Sequence, residues 1–448
     1  MAKRRAASKG AKANAGRTYR LHPSDEVAER LRQWGHARRG IWNTLLADRR
    51  LAESLHLKAD PSSVLVDEMR AQHDWVEDLP RQAANEVVRA LDAAYASWLD
   101  PEHPAQRPTL EKRGSVLRFS LPGQASDVRH LGRKWSEVWL PKIGWVRFRR
   151  HRPLDGEVRN LTVRFSPGRG WSVSFGVACK DKRAPKNGLA PVGVDFGVAC
   201  SAYCSDESEP RLMPPTLTEG EKRRLLGLER RKARQITYAK RHNDGRYSNR
   251  LRHTINEIAA LKAREACRRN DFTHKLTTDL AKSHGIVGIE DLLVKNMTAS
   301  AKGTAEEPGT NVAQKAGLNR GILDNAPGER RRQLEYKCPK LGSTLVPVPP
   351  RGTSYTCPNP ACEKADPANR AGCGRVFACV WCGYQGHADK VASVNIERRA
   401  AKLYAADAAG PAVNSKGRRK PSRRKAGGSV KRVAPALTRA GRDESRAA

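Results

Sequence analysis

Four cysteines in two close pairs constrain this chain more than any other feature of its sequence. Four residues separate Cys357 from Cys362, and two separate Cys379 from Cys382. Two such pairs on tight turns can place four thiolates around one zinc ion, which stabilises a segment too short to form its own hydrophobic core. The alternative is a set of reduced structural cysteines without metal. Cys373 is a fifth candidate, and it could replace Cys362 as a ligand.

The distribution of the cysteines also indicates a compartment. Five of the ten cysteines lie between residues 357 and 382, which favours metal binding in a reducing cytosol over a disulfide scaffold. No apolar run approaches the ~20 residues needed to span a bilayer. The basic N-terminus has no apolar segment behind it, as an export signal would have. We therefore expect neither a membrane protein nor an exported one.

The charge of the chain points to a polyanionic partner. Lys and Arg number 84 against 47 Asp and Glu, which gives a formal net charge of +37. Nucleic acid is the simplest partner for such an excess. The first 20 residues and residues 408–442 contain no acid and few apolar residues, which predicts disordered cationic arms. The alternative is that these arms only raise solubility or non-specific affinity.

The hydrophobic pattern changes along the chain, and 448 residues are too many for one hydrophobic core. Helical spacing dominates residues 23–99. Apolar and polar residues then alternate in 161–165 and 171–177 around the turn SPGRG, which predicts a β-hairpin. With a strand around 138–148, the hairpin suggests a small β-barrel. Residues 221–282 again have a helical pattern and are strongly basic.

Three carboxylates lie at positions where an acidic side chain is either costly to bury or able to serve a function. Asp195 lies in the apolar segment VGVDFG, Glu290 ends the apolar segment IVGI, and Asp389 begins the last helix. Taken singly, Asp195 reads as a turn former, Glu290 as an exposed strand end and Asp389 as a helix N-cap. Gathered at strand ends, however, such groups bind Mg²⁺ well. Two Mg²⁺ ions about 4 Å apart can hydrolyse a phosphodiester.

The order of these parts resembles a known family. The chain contains, in this order, GVDFGV, a basic helical pair, GIVGIEDLLVKNM, the segment LEYKCPKLGSTLVPVPPRGTSYTC with the cysteine pairs, and HADKVASVNI. Near the N-terminus stand RTYRLHPSDEVAERLRQWGHARRGIWN and, later, LPKIGWVRFRRHRPL. This order is similar to that of the TnpB family and its descendants, the compact type V CRISPR effectors. The resemblance covers about residues 17–405.

The resemblance implies a multidomain α+β protein: an RNase H-like (RuvC) nuclease domain with a zinc-ribbon insert, an N-terminal helical recognition lobe and a wedge β-barrel. The implied boundaries are a basic arm with the first wedge strand (1–20), the recognition domain (21–106), the wedge barrel (107–185), the first part of the nuclease domain (186–350), the zinc ribbon that binds target nucleic acid (351–385), the last part of the nuclease domain (386–408) and a disordered basic tail (409–448).

The resemblance also implies an RNA-guided DNA endonuclease of the prokaryotic cytosol. Its partners would be a guide RNA, double-stranded target DNA and the displaced single strand, without a membrane. Asp195 would bridge two Mg²⁺ ions, with Glu290 and Asp389 completing their shell, and one structural Zn²⁺ would bind the ribbon. Segment 298–311 is a candidate lid. We expect a compact type V CRISPR effector; the alternatives are a transposon-encoded TnpB nuclease and a nuclease-inactive guided DNA-binding protein.

The chain departs from the family pattern at two places. Four residues separate the first cysteine pair where the family usually has two, so the turn of the ribbon must differ. Val391 stands where the family commonly has Asn, two residues after Asp389. This change predicts the loss of a hydrogen bond beside the carboxylate and a slower reaction rather than a lost metal ligand.

Overall fold

The structure is a computed structural model that describes residues 15–102, 105–112, 116–179, 183–198, 200–304, 307–370 and 375–409. Cys373, most of the N-terminal arm and the basic tail lie outside these residues. The chain divides into two units, residues 1–401 and 402–448, and every contact described below lies within the first. No helix in the described ranges is long and apolar enough to cross a membrane.

The N-terminal part is a strand followed by four helices. The Ser24 side chain accepts a hydrogen bond from the Val27 amide and so caps the first helix. The apolar stripe of that helix, which includes Leu31, Trp34 and Ile41, is fully buried. The elements are β1 (Ala15–His22), α1 (Asp25–Ser54), α2 (Ser62–Gln72), α3 (Asp74–Glu77) and α4 (Arg81–Leu99).

A seven-stranded sheet follows, and β1 lies in its middle. The strand order is β2-β6-β7-β1-β5-β4-β3, and all its strand pairings are antiparallel. The predicted hairpin is confirmed, with Phe165 opposite Trp171. The new strands are β2 (Leu117–Pro122), β3 (Val128–His130), β4 (Trp135–Leu140), β5 (Gly144–Arg149), β6 (Glu157–Ser166) and β7 (Gly170–Ala178), with a short 3-10 helix at Gly123–Ala125.

Two expectations about this sheet need correction. The predicted strand around 138–148 is two strands, because Lys142 and Gly144 adopt positive φ angles of 63° and 96° and reverse the chain. The barrel also does not close, since no pairing among the described residues joins β2 to β3. Helices pack against the sheet instead: the Trp34 ring on α1 contacts the Phe119 ring on β2 at 5.4 Å between centroids. Helices and sheet thus share one hydrophobic core.

The second part of the chain is built on a four-stranded sheet in the order β11-β10-β8-β9. Its three longer strands are parallel, and β9 is antiparallel to β8. The basic region forms two long helices, of which α6 packs on this sheet together with α9. These elements are β8 (Pro191–Asp195), β9 (Tyr203–Cys204), α5 (Glu219–His242), α6 (Asn249–Ser283), β10 (Ile286–Glu290), α7 (Val294–Met297), α8 (Val312–Asn325), α9 (Pro327–Leu341) and β11 (Thr344–Val348).

The last helix closes the other face of this sheet. The remaining elements of the described residues are a short 3-10 helix at Pro367–Asn369, the two-stranded ribbon β12 (Val376–Ala378) and β13 (Gln385–His387), and then α10 (Ala388–Ala409). A Cβ atom on Gly193 would come within 2.0 Å of the Ser393 carbonyl and 2.3 Å of the Glu397 amide of α10. Gly193 therefore allows the α10 backbone to pack closely against β8.

Candidate functional site

The structure brings the three predicted carboxylates together. Asp195 ends β8 and Glu290 ends β10, which are adjacent parallel strands with Val194 opposite Ile289. Asp389 lies in the first turn of α10. Burial, together with the negative charges of Glu290 and Asp389, raises the pKa of Asp195 to about 7. Glu290 and Asp389 therefore both lie close enough to Asp195 to act on its charge.

Glu290 is held by a hydrogen bond from a loop that follows β11. The Thr353 hydroxyl donates to Glu290 Oε1 at 2.5 Å. Burial raises the pKa of Glu290, while this hydrogen bond and the charge of Arg399 oppose the rise. The buried Asn395 side chain of α10 donates to the carbonyls of Thr353 and Thr356 at 2.9 and 2.8 Å. Helix α10 thus fixes the loop that orients Glu290.

A buried arginine holds the loop that follows Asp195. Arg330 on α9 is fully buried; it donates hydrogen bonds to the Ser201 carbonyl and to Asn325 Oδ1, the latter at 3.3 Å. Its guanidinium lies 5.1 Å from the centroid of the Phe196 ring, and burial lowers its pKa to about 10. Asn325 in turn donates to the Val198 carbonyl at 3.1 Å. The α8–α9 junction therefore fixes the backbone next to Asp195.

Sequence reasoning missed several residues around the carboxylates. The positive charge of Arg370 lowers the pKa of Asp195, against the larger effect of burial. The Lys390 ammonium donates to the carbonyls of Ser205 and Glu207, both at 2.6 Å, which ties α10 to the segment after β9. Arg330 lies in the sequence run RRR, which gave no sign that one of the three is buried. Only Lys390, next to Asp389, had a position that could have drawn attention.

The donor set of the carboxylate site fits a hard divalent cation. The three side chains offer oxygen ligands, which Mg²⁺ prefers, and a cation would offset the effect of the Glu290 and Asp389 charges on Asp195. Two softer groups lie beside Asp389. Cys200 Sγ, a His387 ring nitrogen and an Asp389 carboxylate oxygen all lie within 4.8 Å of one another. Neither Cys200 nor His387 was among the predicted site residues.

The four predicted cysteines converge at a second place. Their sulfurs lie within 4.8 Å of one another, with Cys357 and Cys382 3.5 Å apart and Cys362 and Cys379 3.7 Å apart. Tetrahedral zinc with Zn–S bonds of about 2.3 Å requires sulfur separations of about 3.8 Å. Burial raises the pKa of Cys379, but the amides of Cys382 and Trp381 outweigh it, and the pKa falls to about 7. The arrangement fits one zinc ion.

The longer first pair is explained by its turn. The Cys362 and Glu363 amides both donate to the Asn359 carbonyl, at 2.9 and 3.0 Å, and Glu363 has a φ of 46°. In the second pair the Gly383 amide donates to the Cys379 carbonyl at 3.0 Å. Asn359 therefore occupies the first position of the first turn, which Cys379 occupies in the second turn. The Asn359 side-chain amide lies 3.8 Å from Cys382 Sγ. The two extra residues place Cys357 outside the turn.

Val391 has a different neighbourhood from the one expected. It is 1% exposed and packs with Cys357, Phe377, Cys379 and Ala388 in an apolar cluster under the cysteines. An asparagine here would bury an amide among apolar groups. The hypothesis that Val391 costs a hydrogen bond beside the carboxylate is therefore wrong for this chain, because residue 391 faces the ribbon.

Comparison with known proteins places this arrangement in a family. Residues 174–301 match the family described as a probable transposase (OrfB of IS605), 328–396 match the Cas12f1-like TNB domain, and 13–53 match a helix-turn-helix domain of the same transposase group. In the described part of that last segment, the structure has β1 and the single helix α1.

The chain is 32% identical over 383 residues to the putative RNA-guided DNA endonuclease InsQ of Escherichia coli K12, covering 84% of this chain and 90% of that protein. It is 26% identical to a putative RNA-guided DNA endonuclease of Streptomyces pristinaespiralis, covering 74% and 76%. A solved Cas12f1–sgRNA–target DNA complex aligns over 84% of this chain and 83% of that one, at 14% identity and a TM-score of 0.46. This chain belongs to the TnpB-like family of RuvC nucleases.

Proposed function

We propose that this protein is an RNA-guided DNA endonuclease that cuts both strands of its target with one Mg²⁺-dependent site. The observation that carries the proposal is the convergence of Asp195, Glu290 and Asp389 at the ends of adjacent strands and the start of α10. The names of the relatives InsQ and the Streptomyces protein support guidance by RNA and cutting of DNA.

In the proposed site Asp195, Glu290 and Asp389 would hold two Mg²⁺ ions. Mg²⁺ would supply activation of the attacking water and stabilisation of the leaving oxygen of the phosphodiester. The chain's own contribution is positional. Thr353 and Asn395 orient Glu290, and the contact of Arg330 with the loop after Asp195 limits movement of that carboxylate. Arg370 supplies positive charge near the site.

Basic and aromatic surfaces support the proposed grip on guide RNA, target DNA and the displaced strand. A cleft at one end of the seven-stranded sheet is lined by arginine and lysine side chains, among them Arg133, Lys134 and Arg150. At the end of α5, Tyr238 is 65% exposed and its ring lies 4.6 Å from that of His242. Cations hold phosphates, and exposed rings stack on bases. The proposal places this binding in the prokaryotic cytosol.

The proposed activity is compatible with two biological roles. The relationship to InsQ and the transposase family supports a transposon-encoded nuclease, and the Cas12f1-like match of residues 328–396 supports a CRISPR effector. The chemistry is the same in both. A transposon end or a repeat array beside the gene distinguishes them. The nuclease-inactive alternative is disfavoured by the presence of all three carboxylates.

Sequencing of RNA that copurifies with the protein tests the proposed guidance. Protein expressed with its native locus should carry one discrete RNA species. The complex should then cut a DNA whose sequence matches the guide segment of that RNA, and changing the guide should redirect the cut. Recovery of an RNA-free protein that cuts DNA regardless of sequence would overturn the proposal.

A further inference from the structure

Three side chains beside the carboxylate site form a group of mixed chemistry. Cys200 offers a thiol, His387 an imidazole and Asp389 a carboxylate, with one donor atom of each within 4.8 Å of the others. Thiol and imidazole are ligands of Zn²⁺ and other soft or borderline ions, whereas Mg²⁺ takes oxygen ligands. The group therefore differs in metal preference from the three carboxylates, although it shares Asp389 with them.

The donors are held in place by the fold. Cys200 is 4% exposed, and Arg330 binds the carbonyl of the next residue, Ser201. His387 ends β13, opposite Val376, and its ring lies 5.2 Å from that of Tyr203. His387 Nδ1 accepts a hydrogen bond from the Asp389 amide at 3.2 Å. A metal bound at Nδ1 would replace this bond, and a metal bound at Nε2 would require the ring proton on Nδ1, so metal binding breaks the bond in either case.

A neighbouring group with similar donor atoms differs from this one in the partners of its carboxylates. Cys204, Asp206 and Glu207 also approach one another within 4.8 Å. Asp206 there bonds to His284 at 2.9 Å, and Glu207 is paired with Arg211. The carboxylates of that group already have partners that neutralise or bind them. Asp389, by contrast, accepts a hydrogen bond from the Cys200 thiol within the group itself, and its charge helps to raise the pKa of Asp195, an effect that a bound cation would offset.

We propose that Cys200, His387 and Asp389 bind one thiophilic divalent ion, Zn²⁺ in the cell, and that this ion inhibits DNA cutting by taking Asp389 from Mg²⁺. Binding releases the thiol proton to solvent and forms a metal–thiolate bond. Only the inhibitory part rests on the proposed nuclease function; the metal site stands on the three donors alone.

Titration with Co²⁺ tests the site without reference to activity. The protein, carrying its ribbon zinc and freed of Mg²⁺ by dialysis, is titrated with Co²⁺ while thiolate-to-cobalt charge-transfer absorption is recorded. Cys200→Ser should show less charge-transfer absorption than wild type, and we expect the difference to correspond to one cobalt–thiolate bond per chain. The matched control is Cys267→Ser, an exposed cysteine on α6, which should give the wild-type spectrum. Identical spectra for wild type and Cys200→Ser would overturn the proposal.

A second variant covers the case in which Cys200→Ser does not fold. His387→Gln should bind Co²⁺ at least about 10-fold more weakly than wild type, and unchanged affinity would contradict the site. For the inhibitory part, each protein's cutting at fixed Mg²⁺ is normalised to its own rate without added Zn²⁺. The Zn²⁺ concentration for half inhibition should rise at least about 10-fold in Cys200→Ser; an unchanged value would refute the inhibition. If wild type does not cut at all, the nuclease proposal fails while the cobalt result still decides the metal site.

Discussion

Replacing Asp195 by Asn should stabilise the metal-free protein at neutral pH while removing its activity. The pKa of Asp195 is raised from 3.8 to about 7, chiefly by burial and then by Glu290 and Asp389. Between these two values the folded protein binds more protons than the unfolded chain, so stability falls as the pH rises. The difference corresponds to about 4 kcal/mol as an upper bound. Asn carries no charge at any pH and avoids this cost.

Urea unfolding of the two proteins at pH values from about 4 to about 8 measures this effect. Mg²⁺ is removed by dialysis, because a strong chelator would also remove the ribbon zinc. At the upper end the wild type should be less stable than Asp195→Asn by up to about 4 kcal/mol, and the gap should close toward the acid end and on addition of Mg²⁺. Asp60→Asn, between α1 and α2 and distant in sequence from the site, is the control and should show no such gap. Equal stability of wild type and Asp195→Asn across this range would refute the reasoning.

Four further outcomes follow from the contacts. Thr353→Val removes the hydrogen bond to Glu290, so strand cleavage should slow about 10-fold while guided binding, measured by gel shift, stays the same. Gly193→Ala should lower stability by about 3 kcal/mol or more in a melting experiment, because its Cβ meets the α10 backbone, whereas Gly132→Ala, which has open space around it, should not. Cys362→Ser should lose the bound zinc and Cys373→Ser should keep it, as measured by elemental analysis; the reverse would move the ligand to Cys373. Val391→Asn should melt at a lower temperature and cut no faster, and faster cutting would place residue 391 near the carboxylates after all.

The sequence predicted the features that depend on residue type and on position within one strand or turn. Acids at the ends of apolar strands predicted the meeting of Asp195 and Glu290, since parallel strands end at one edge of a sheet. Cysteine spacing predicted the four converging sulfurs because each pair lies on a local turn. The hairpin of β6 and β7 followed from alternation around a turn. In each case the deciding information lies within a few residues of the chain.

The remaining features depend on contacts between distant segments. The barrel expectation was wrong because alternation within the strands does not show that α1 contributes Trp34 to the same core. Arg330 gave no signal because its burial depends on contacts with the Phe196 ring and with Ser201, which lies 129 residues earlier in the chain. Val391 was misplaced because its distance from Asp389 in sequence does not tell which side of α10 faces the ribbon.

Strand-specific cleavage by Asp195→Asn tests the central claim most directly. The guided complex is given a target DNA labelled at a different end on each strand, and both cuts are followed in the presence of Mg²⁺. A single site built by Asp195, Glu290 and Asp389 predicts that neither strand is cut while the DNA remains bound. Cutting of either strand at the wild-type rate would require a second nuclease centre and would contradict the account.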